Sequence, residues 1–136
     1  ADFDREAAEA AYAANCASCH NSSGAGIPQV FPPLAGHLPD LYNADGGPEV
    51  IMEIMLYGMT GGIEVNGTNY SGAMPAWDNL DDDVLADAFN HIATAWGNED
   101  ELDDFTPATA ADFEALRGQD LSTAEVHELR QALDLN

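Results

Sequence analysis

The sequence has 136 residues, which suffices for one domain with a single core and is too short for two. Its 25 acidic side chains are accompanied by three arginines and no lysine, so the formal net charge is -22 at pH 7. Such a surface repels nucleic-acid phosphates and anionic lipid head groups, which disfavours nucleic-acid binding and electrostatic membrane binding, and no apolar run approaches the roughly 20 residues that membrane insertion requires.

The first predicted element is a helix that ends near Ala14. Asp2 or Asp4 can cap its N-terminus by accepting hydrogen bonds from the first free backbone N–H groups. The helix carries a face of small side chains with one tyrosine, which suits a close crossing of another helix. This face consists of Ala7, Ala8, Ala11 and Tyr12.

Directly after this helix, two cysteines precede a histidine in the run Cys16-Ala17-Ser18-Cys19-His20. The C-x-x-C-H spacing is typical of c-type haem attachment, because two thiols at this distance can form thioethers with the haem vinyl groups while the adjacent histidine is held against the iron. The sequence therefore predicts one covalently bound haem c on Cys16 and Cys19, with His20 as the proximal iron ligand.

Three other uses of the cysteine pair compete with haem attachment. A redox-active dithiol needs a thioredoxin-like βαβ context, and the chain shows no such alternation of strand and helix. A zinc site needs four ligands, whereas His37, His91 and His127 stand singly in the sequence. A disulfide across two intervening residues is strained and closes almost no loop. Haem attachment is the favoured interpretation.

Two longer helices follow along the chain. Gly46-Gly47-Pro48 predicts the start of one helix, with proline in the first turn, and Gly58 predicts its end. Asp81 is placed to cap the other, an apolar-periodic helix that continues to about Trp96.

A β-hairpin is predicted between these helices, over residues 63–70. Asn66-Gly67 favours a type I′ turn, in which both central residues adopt positive φ. That turn pairs Val65 with Thr68 and Ile63 with Tyr70. The chain is thus expected to be mostly α with one small hairpin.

If a haem is bound through His20, the sixth position of its iron is either filled by a side chain or left open. Met52, Met55 and Met59 recur at helical spacing in an apolar stretch, where methionine usually fills a core. Met74 instead lies in a loop bounded by glycine and proline, which cannot be regular helix and leaves the thioether free to point at a metal. We predict Met74 as the sixth ligand over the other candidates, which include His37, His91 and His127.

The C-terminal residues form a separate group of signals. Residues 98–104 are acidic and are interpreted as a solvated turn, since their spacing is not that of a calcium-binding EF-hand. Thr109 to Asp112 and Ser122 to Glu125 are both helix-start signatures. Val126, Leu129 and Leu133 share one face of the second helix. Helices this short are not stable alone, so we expect them to dock on the rest of the chain.

Taken in order over residues 3–97, these motifs resemble the bacterial class I cytochromes c, the mono-haem electron carriers. The resemblance implies a class I cytochrome c fold, with helices packed around one haem, over residues 1–98. Within this family, the chain resembles in particular the long-form cytochromes c of thermophilic bacteria. These proteins carry a C-terminal helical extension, which here would be residues 99–136, and donate electrons to a haem-copper terminal oxidase. The segments that match the long-form proteins are Gly26-Ile27-Pro28, Phe31 to His37, Leu56-Tyr57-Gly58, Gly62 to Val65 and Asn90 to Gly97, while Gly72 to Pro75 matches the wider class I family.

The resemblance also implies roles for single residues. The carbonyl of Pro32 would accept a hydrogen bond from the other ring nitrogen of His20. Leu34 and Tyr57 would line the haem pocket, and Trp77 would line it or reach a propionate; the alternative for each is a core position without haem contact. Two further expectations concern the other histidines. His91 is expected to pack against Ala8 and Tyr12, and His37 and His127 to be ordinary surface or helix residues.

With His and Met in both axial positions, no site remains for substrate or O₂, and thioether ligation favours Fe(II). The expected function is that of a soluble, monomeric one-electron carrier, not an enzyme, in the periplasm or otherwise outside the cytoplasmic membrane. Its partners would be a terminal oxidase as acceptor and a quinol-oxidising complex or dehydrogenase as donor. The alternatives are a cytochrome subunit of a dehydrogenase complex, or a haem enzyme or gas sensor with an open sixth position.

The missing lysines bear on how a partner would dock. A positive ring around the haem edge is not available, so docking would use a basic face on the partner or an apolar patch on this chain. The resemblance to an oxidase donor favours the apolar patch. Its candidate members are Ala17, Ile27, Pro28, Val30, Ala73 and Pro75.

Overall fold

The computed structural model describes residues 3–133 of the chain, so the capping alternative at Asp2 lies outside the described residues. None of the helices in this range is long and apolar enough to cross a membrane. The elements in chain order are α1 (Arg5–Asn15), α2 (Ala17–His20), α3 (Leu38–Tyr42), α4 (Gly47–Tyr57), β1 (Ile63–Val65), β2 (Thr68–Tyr70), α5 (Asp82–Thr94), a 3₁₀ segment (Ala95–Glu101), α6 (Ala110–Leu116) and α7 (Thr123–Gln131).

The predicted first helix is present as α1 and crosses α5. Asp4 caps it, since its Oδ1 accepts hydrogen bonds from the backbone N–H groups of Glu6 and Ala7, each at 3.1 Å. The small-residue face is turned inward, with Ala8 and Tyr12 buried against the core. Because α1 packs against α5 and contacts α2, the crossing positions α2 relative to α5.

The predicted hairpin is confirmed together with its register. Ile63 pairs with Tyr70 and Val65 pairs with Thr68 across two antiparallel strands. The turn residues Asn66-Gly67 have φ values of 52° and 83°, which are the two positive values that a type I′ turn requires. The helix before the hairpin, α4, begins and ends at the predicted glycines.

The helix α5 differs from its prediction at both ends. Asp81 occupies the N-cap position, but its side chain makes no capping hydrogen bond. The helix ends at Thr94, and Trp96 has left-handed backbone angles. In this conformation the indole N–H of Trp96 donates to the carbonyl of Ser22 at 2.9 Å, and its ring packs edge-on against Tyr12. These tertiary contacts end the helix earlier than its apolar periodicity predicted.

The interpretation of residues 98–104 as a solvated turn is wrong for the first of them. Asn98 is fully buried, and its side-chain amide donates to the carbonyls of Leu34 at 3.1 Å and Ile92 at 2.9 Å. Its Oδ1 accepts from the backbone N–H of Gly36 at 2.8 Å. The acidic side chains that follow are exposed, as expected. The segment therefore begins with a buried amide that ties α5 to the loop before α3.

The C-terminal helices dock on the rest of the chain, as their short length predicted. Both begin with the predicted capping boxes, at Thr109 and at Ser122. Phe113 of α6 is fully buried and lies edge-on to Phe89 of α5, with ring centroids 6.2 Å apart. Val126 of α7 is fully buried too, while the other two members of its face are half-buried. The division of the chain at residue 98 remains a prediction.

Truncation of Phe113 tests how strongly the extension contributes to stability. Phe113→Ala removes a fully buried ring from the shared core and is expected to lower the free energy of unfolding by about 3–5 kcal/mol. Phe105→Ala is the matched control, because Phe105 is half-buried and should cost only about 1–2 kcal/mol. Chemical denaturation of the haem-loaded protein measures both. Equal costs would show that α6 adds little to the core.

Candidate haem site

The predicted site residues meet at one cavity beside α2. All of them except Tyr57 line it: Cys16, Cys19, His20, Pro32, Leu34, Met74 and Trp77. Apolar side chains of α3 and α4 complete the wall, among them Leu41, Ile51 and Met55. The arrangement is a largely apolar recess that has sulfur and imidazole groups on its surface.

The helix α2 presents the cysteine pair to the cavity. Its first turn is closed by hydrogen bonds from the backbone N–H groups of Cys19 and His20 to the carbonyl of Cys16, at 3.2 and 3.0 Å. Residues three apart on a helix share a face, so both thiols lie on one side. Both are free and half-buried, and burial together with Cys19 raises the pKa of the Cys16 thiol to about 11. A redox-active dithiol needs the opposite shift, which argues against that alternative.

The imidazole of His20 is oriented by the loop that follows α2. Its Nδ1–H donates to the carbonyl of Pro32 at 2.9 Å, which leaves Nε2 free for another bond. Burial lowers the pKa of His20, although the hydrogen bond to Pro32 opposes this shift, so the ring is neutral at neutral pH. Gly26 allows the loop to approach this closely, because its φ is 65° and a Cβ there would overlap the carbonyl of Phe31.

Met74 is held at the cavity by a short backbone bridge. Its N–H donates to the carbonyl of Met59 at 2.9 Å, and the N–H of Met59 donates back at 3.1 Å. Both side chains line the cavity, as does that of Met55. Met52 and Met55 are buried in the core along α4, as their helical spacing predicted. Met59 lies beyond the end of that helix, so it is the nearest competitor to Met74 by position.

Tyr57 does not line the cavity. It is half-buried at the end of α4, and its hydroxyl donates to the carbonyl of Leu116 and accepts from the N–H of Gln119 at 3.2 Å. Tyr57 therefore connects α4 to the C-terminal extension, and the haem contact that the resemblance implies for it remains a prediction.

The other histidines have separate roles. His91 packs on Tyr12 with ring centroids 4.9 Å apart, as predicted. His127 lies in α7 and donates to the carbonyl of Gly62 at 2.7 Å. The expectation of an ordinary surface or helix position is wrong for His37, which is buried on the cavity wall and accepts a hydrogen bond from Arg130 at 3.2 Å. No local signal could have found this contact, because the partner lies 93 residues away in the sequence.

The donor set fits haem c better than a bare metal ion. Within residues 3–133 no group of three or more His, Cys, Asp or Glu side chains could hold a metal, which disfavours the zinc alternative. Two free thiols and one imidazole whose second nitrogen is already bonded are the groups that a covalently attached haem requires, and the apolar recess also offers methionine thioethers as further ligands.

Comparisons with known proteins point the same way. Residues 4–92 match the family described as cytochrome c oxidase, cbb3-type, subunit III. The chain is 43% identical over 122 residues to cytochrome c-552 of Thermus thermophilus, covering 90% of this chain and 93% of that protein. It is 36% identical over 120 residues to the cytochrome c subunit of the quinone alcohol dehydrogenase of Gluconobacter oxydans, covering 83% of this chain and 23% of that protein.

The family match runs from the start of α1 through most of α5, and the similarity to cytochrome c-552 extends over most of the chain. Members of this family transport electrons through a covalently bound haem c, and the cysteine pair of this chain fits that attachment. The mostly helical fold with one hairpin agrees as well. The chain belongs to the class I cytochrome c family.

Proposed function

We propose that this protein is a one-electron carrier in which His20 and Met74 would ligate the haem iron, and that it is not an enzyme. It delivers electrons to a haem-copper terminal oxidase outside the cytoplasmic membrane. The observation that carries the proposal is that both side chains line one apolar cavity together with the two thiols. With both axial positions filled, no coordination site remains for substrate or O₂.

Each residue at the cavity has a physical task in this mechanism. A haem held in this cavity would supply the one-electron redox chemistry. Cys16 and Cys19 would anchor it covalently, and the bond from His20 to the carbonyl of Pro32 fixes the orientation of the imidazole. The bridge to Met59 restricts the backbone of Met74 and keeps this residue at the cavity. The apolar walls limit the access of water.

Replacing Met74 tests the axial assignment. Met74→Ala should keep the haem covalently attached, since the thioethers do not depend on the sixth ligand, but open the iron to external ligands. The ferric protein should lose its near-infrared sulfur-to-iron charge-transfer band, and the ferrous protein should bind carbon monoxide rapidly. Met59→Ala is the matched control and should keep the band and resist carbon monoxide.

Two outcomes would contradict the proposal. If the Met59 variant loses the band while the Met74 variant keeps it, the ligand is misassigned. If the unaltered protein binds carbon monoxide rapidly, the sixth position is open and the protein is an enzyme or a gas sensor.

The approach of the Met74 loop to α4 depends on Gly58. This residue has a φ of 75°, and a Cβ at its position would overlap the carbonyl oxygen of Met74. Gly46, at the other end of the same helix, has a nearly equal φ of 77° but no heavy atom within 4 Å of such a Cβ. Gly46 has a ψ of 4°, in the left-handed helical region, whereas Gly58 has a ψ of -179°, in a region that is essentially restricted to glycine. The two glycines therefore differ in backbone strain as well as in steric overlap.

Alanine substitutions at these glycines can be compared. Gly46→Ala should lower stability by about 1–2 kcal/mol, the cost of the left-handed conformation, and Gly58→Ala should lower it further, because its φ and ψ are essentially restricted to glycine. Gly58→Ala should in addition displace the Met74 loop and reduce the charge-transfer band, because the carbonyl of Met74 must move. Near-infrared absorption and thermal melts measure the two effects. An undiminished band in Gly58→Ala would mean that this close contact does not hold the ligand loop.

The distribution of charge supports an apolar docking face. All 25 acidic and three basic side chains lie outside residues 10–39 and 65–77. These two segments supply most of the cavity wall, and Val30, Ala73 and Pro75 are exposed at it. Ile27 and Val30 are the large hydrophobic residues that are exposed within residues 3–133, at 43% and 49%. Ala17, which was expected in the patch, is half-buried.

Ionic strength tests whether docking is apolar. Electron transfer to a haem-copper terminal oxidase should be flat or rise with added salt, since salt screens the repulsion of an acidic surface. Val30→Asp should slow the transfer by about tenfold, which corresponds to about 1.4 kcal/mol. Ala124→Asp adds the same charge at an exposed position of α7 and should have little effect. A steep fall with salt would instead indicate a basic face on the partner.

A second candidate function rests on the similarity to the alcohol dehydrogenase cytochrome subunit. In that case the chain would accept electrons within a dehydrogenase complex and would not diffuse between partners. Isolation of the protein from native cells distinguishes the two, because a subunit would co-purify with a dehydrogenase and a carrier would not.

A further inference from the structure

Arg130 differs from the other two arginines in its surroundings. Arg5 pairs with Glu99 at 3.2 Å, and Arg117 pairs with Asp82 at 2.7 Å. Arg130 is buried, with 5% of its surface exposed, and no carboxylate between residues 3 and 133 lies within salt-bridge distance of it. Arg130 is therefore the one buried arginine among residues 3–133, and it has no carboxylate partner there although the chain contains 25 acidic side chains.

The hydrogen bonds of Arg130 leave most of its donors unused. Its Nη2 donates to Nε2 of His37 at 3.2 Å, and its Nη1 reaches Oε1 of Gln131 at 3.5 Å. A guanidinium carries five N–H donors, and the other three meet no acceptor within the described residues. The group is thus a buried cation with open hydrogen-bonding positions.

A buried guanidinium without a counter-ion is energetically costly. Burial lowers the pKa of Arg130, but arginine remains protonated in proteins, so it cannot escape the cost by losing its proton. The remaining way to offset it is an anion that accepts the free N–H bonds. The planar fork of the guanidinium suits a carboxylate in particular.

The location of Arg130 identifies the anion. Arg130 and His37 line the same cavity as Cys16, Cys19 and His20, so a haem bound there brings its own propionate carboxylates into this recess. We propose that Arg130, oriented by His37, binds one haem propionate, so that the C-terminal extension supplies a counter-charge at the redox centre. This inference rests on the proposed haem site and adds a role for α7 beyond packing.

His37 is suited to a positioning role. Burial and Arg130 lower its pKa, while Asp40 opposes the shift, so the ring is neutral and its Nε2 accepts from the guanidinium. Its Nδ1–H is buried without an acceptor, because Oδ2 of Asp40 lies 3.6 Å away, beyond hydrogen-bond distance. The other residue of the cavity wall whose side chain can ionise near neutral pH is His20. Glu53, on the adjacent α4, forms a hydrogen bond with Gln119.

The pairing has a consequence for the redox centre. A cation beside the propionate keeps that carboxylate ionised in both oxidation states and disfavours the more positive ferric form. The midpoint potential should then be high and nearly independent of pH. Without the cation, the propionate would take up a proton more readily in the ferrous state than in the ferric state, and the potential would fall as pH rises.

The experiment compares the haem-loaded protein with three variants. Arg130→Gln removes the buried charge, Arg130→Lys keeps the charge without the fork, and Arg5→Gln removes an exposed charge as the matched control. The midpoint potential and the NMR shifts of the propionate methylene protons are followed from about pH 4 to 9. The charge-transfer band is recorded for each, since it reports Met74 independently of the propionates.

We expect a flat potential in the unaltered protein, Arg130→Lys and Arg5→Gln, and in Arg130→Gln a lower potential at high pH that falls as pH rises. One propionate should not titrate in the unaltered protein and should titrate in Arg130→Gln. If Arg130→Gln keeps the charge-transfer band but has the same midpoint potential and propionate titration as Arg5→Gln, the pairing of Arg130 with a propionate is refuted. The proposed iron ligands would then stand. If Arg130→Gln does not fold, the unaltered protein decides: two propionates titrating in the ordinary carboxylate range would overturn the pairing.

Discussion

The crossing of α1 over α5 is the constraint on which the haem site depends, and Tyr12 is at its centre. The hydroxyl of Tyr12 donates to the carbonyl of Asn21 at 2.6 Å, just after α2, while its ring packs on His91 and Trp96. One side chain therefore fixes α2 relative to α5 and to the 3₁₀ segment. Because Ala8 is fully buried in the same crossing, the helices approach closely and α2 has little freedom to shift.

The acidic surface works against this compact arrangement. Between residues 3 and 133 the ion pair of Arg117 with Asp82 is one of few that offset the 25 acidic side chains, so like charges repel across the surface. Asp87 shows the effect locally: burial, Asp4 and Asp83 all raise the pKa of its carboxyl. Stability must come from the apolar core that α1, α4, α5 and α6 share. Added salt screens the repulsion between the acidic side chains, so it lowers the electrostatic free energy that this core has to offset.

Sequence reasoning predicted the features whose signals are local. Asn66-Gly67 specifies its turn by backbone conformation, and the capping box at Ser122 needs only the next three residues. The short helices α2 and α3, of four and five residues, leave no periodic pattern to detect. His37 and Asn98 were misjudged because polar residues are assigned to the surface unless a partner is visible, and their partners come from distant segments. The C-x-x-C-H motif that begins at Cys16 could be predicted from the sequence, because covalent attachment of haem requires a fixed spacing of its residues.

The two uncharged segments around the cavity also determine how the molecule turns as it approaches a surface. An anionic membrane repels acidic side chains within about a Debye length, roughly 10 Å at 0.1 M salt. This repulsion is weakest for orientations in which residues 10–39 and 65–77, which contain no Asp or Glu, point toward the membrane. Repulsion alone would then turn the cavity toward proteins embedded in that membrane. The molecule would be oriented before it makes any specific contact, without positive charges on its own surface.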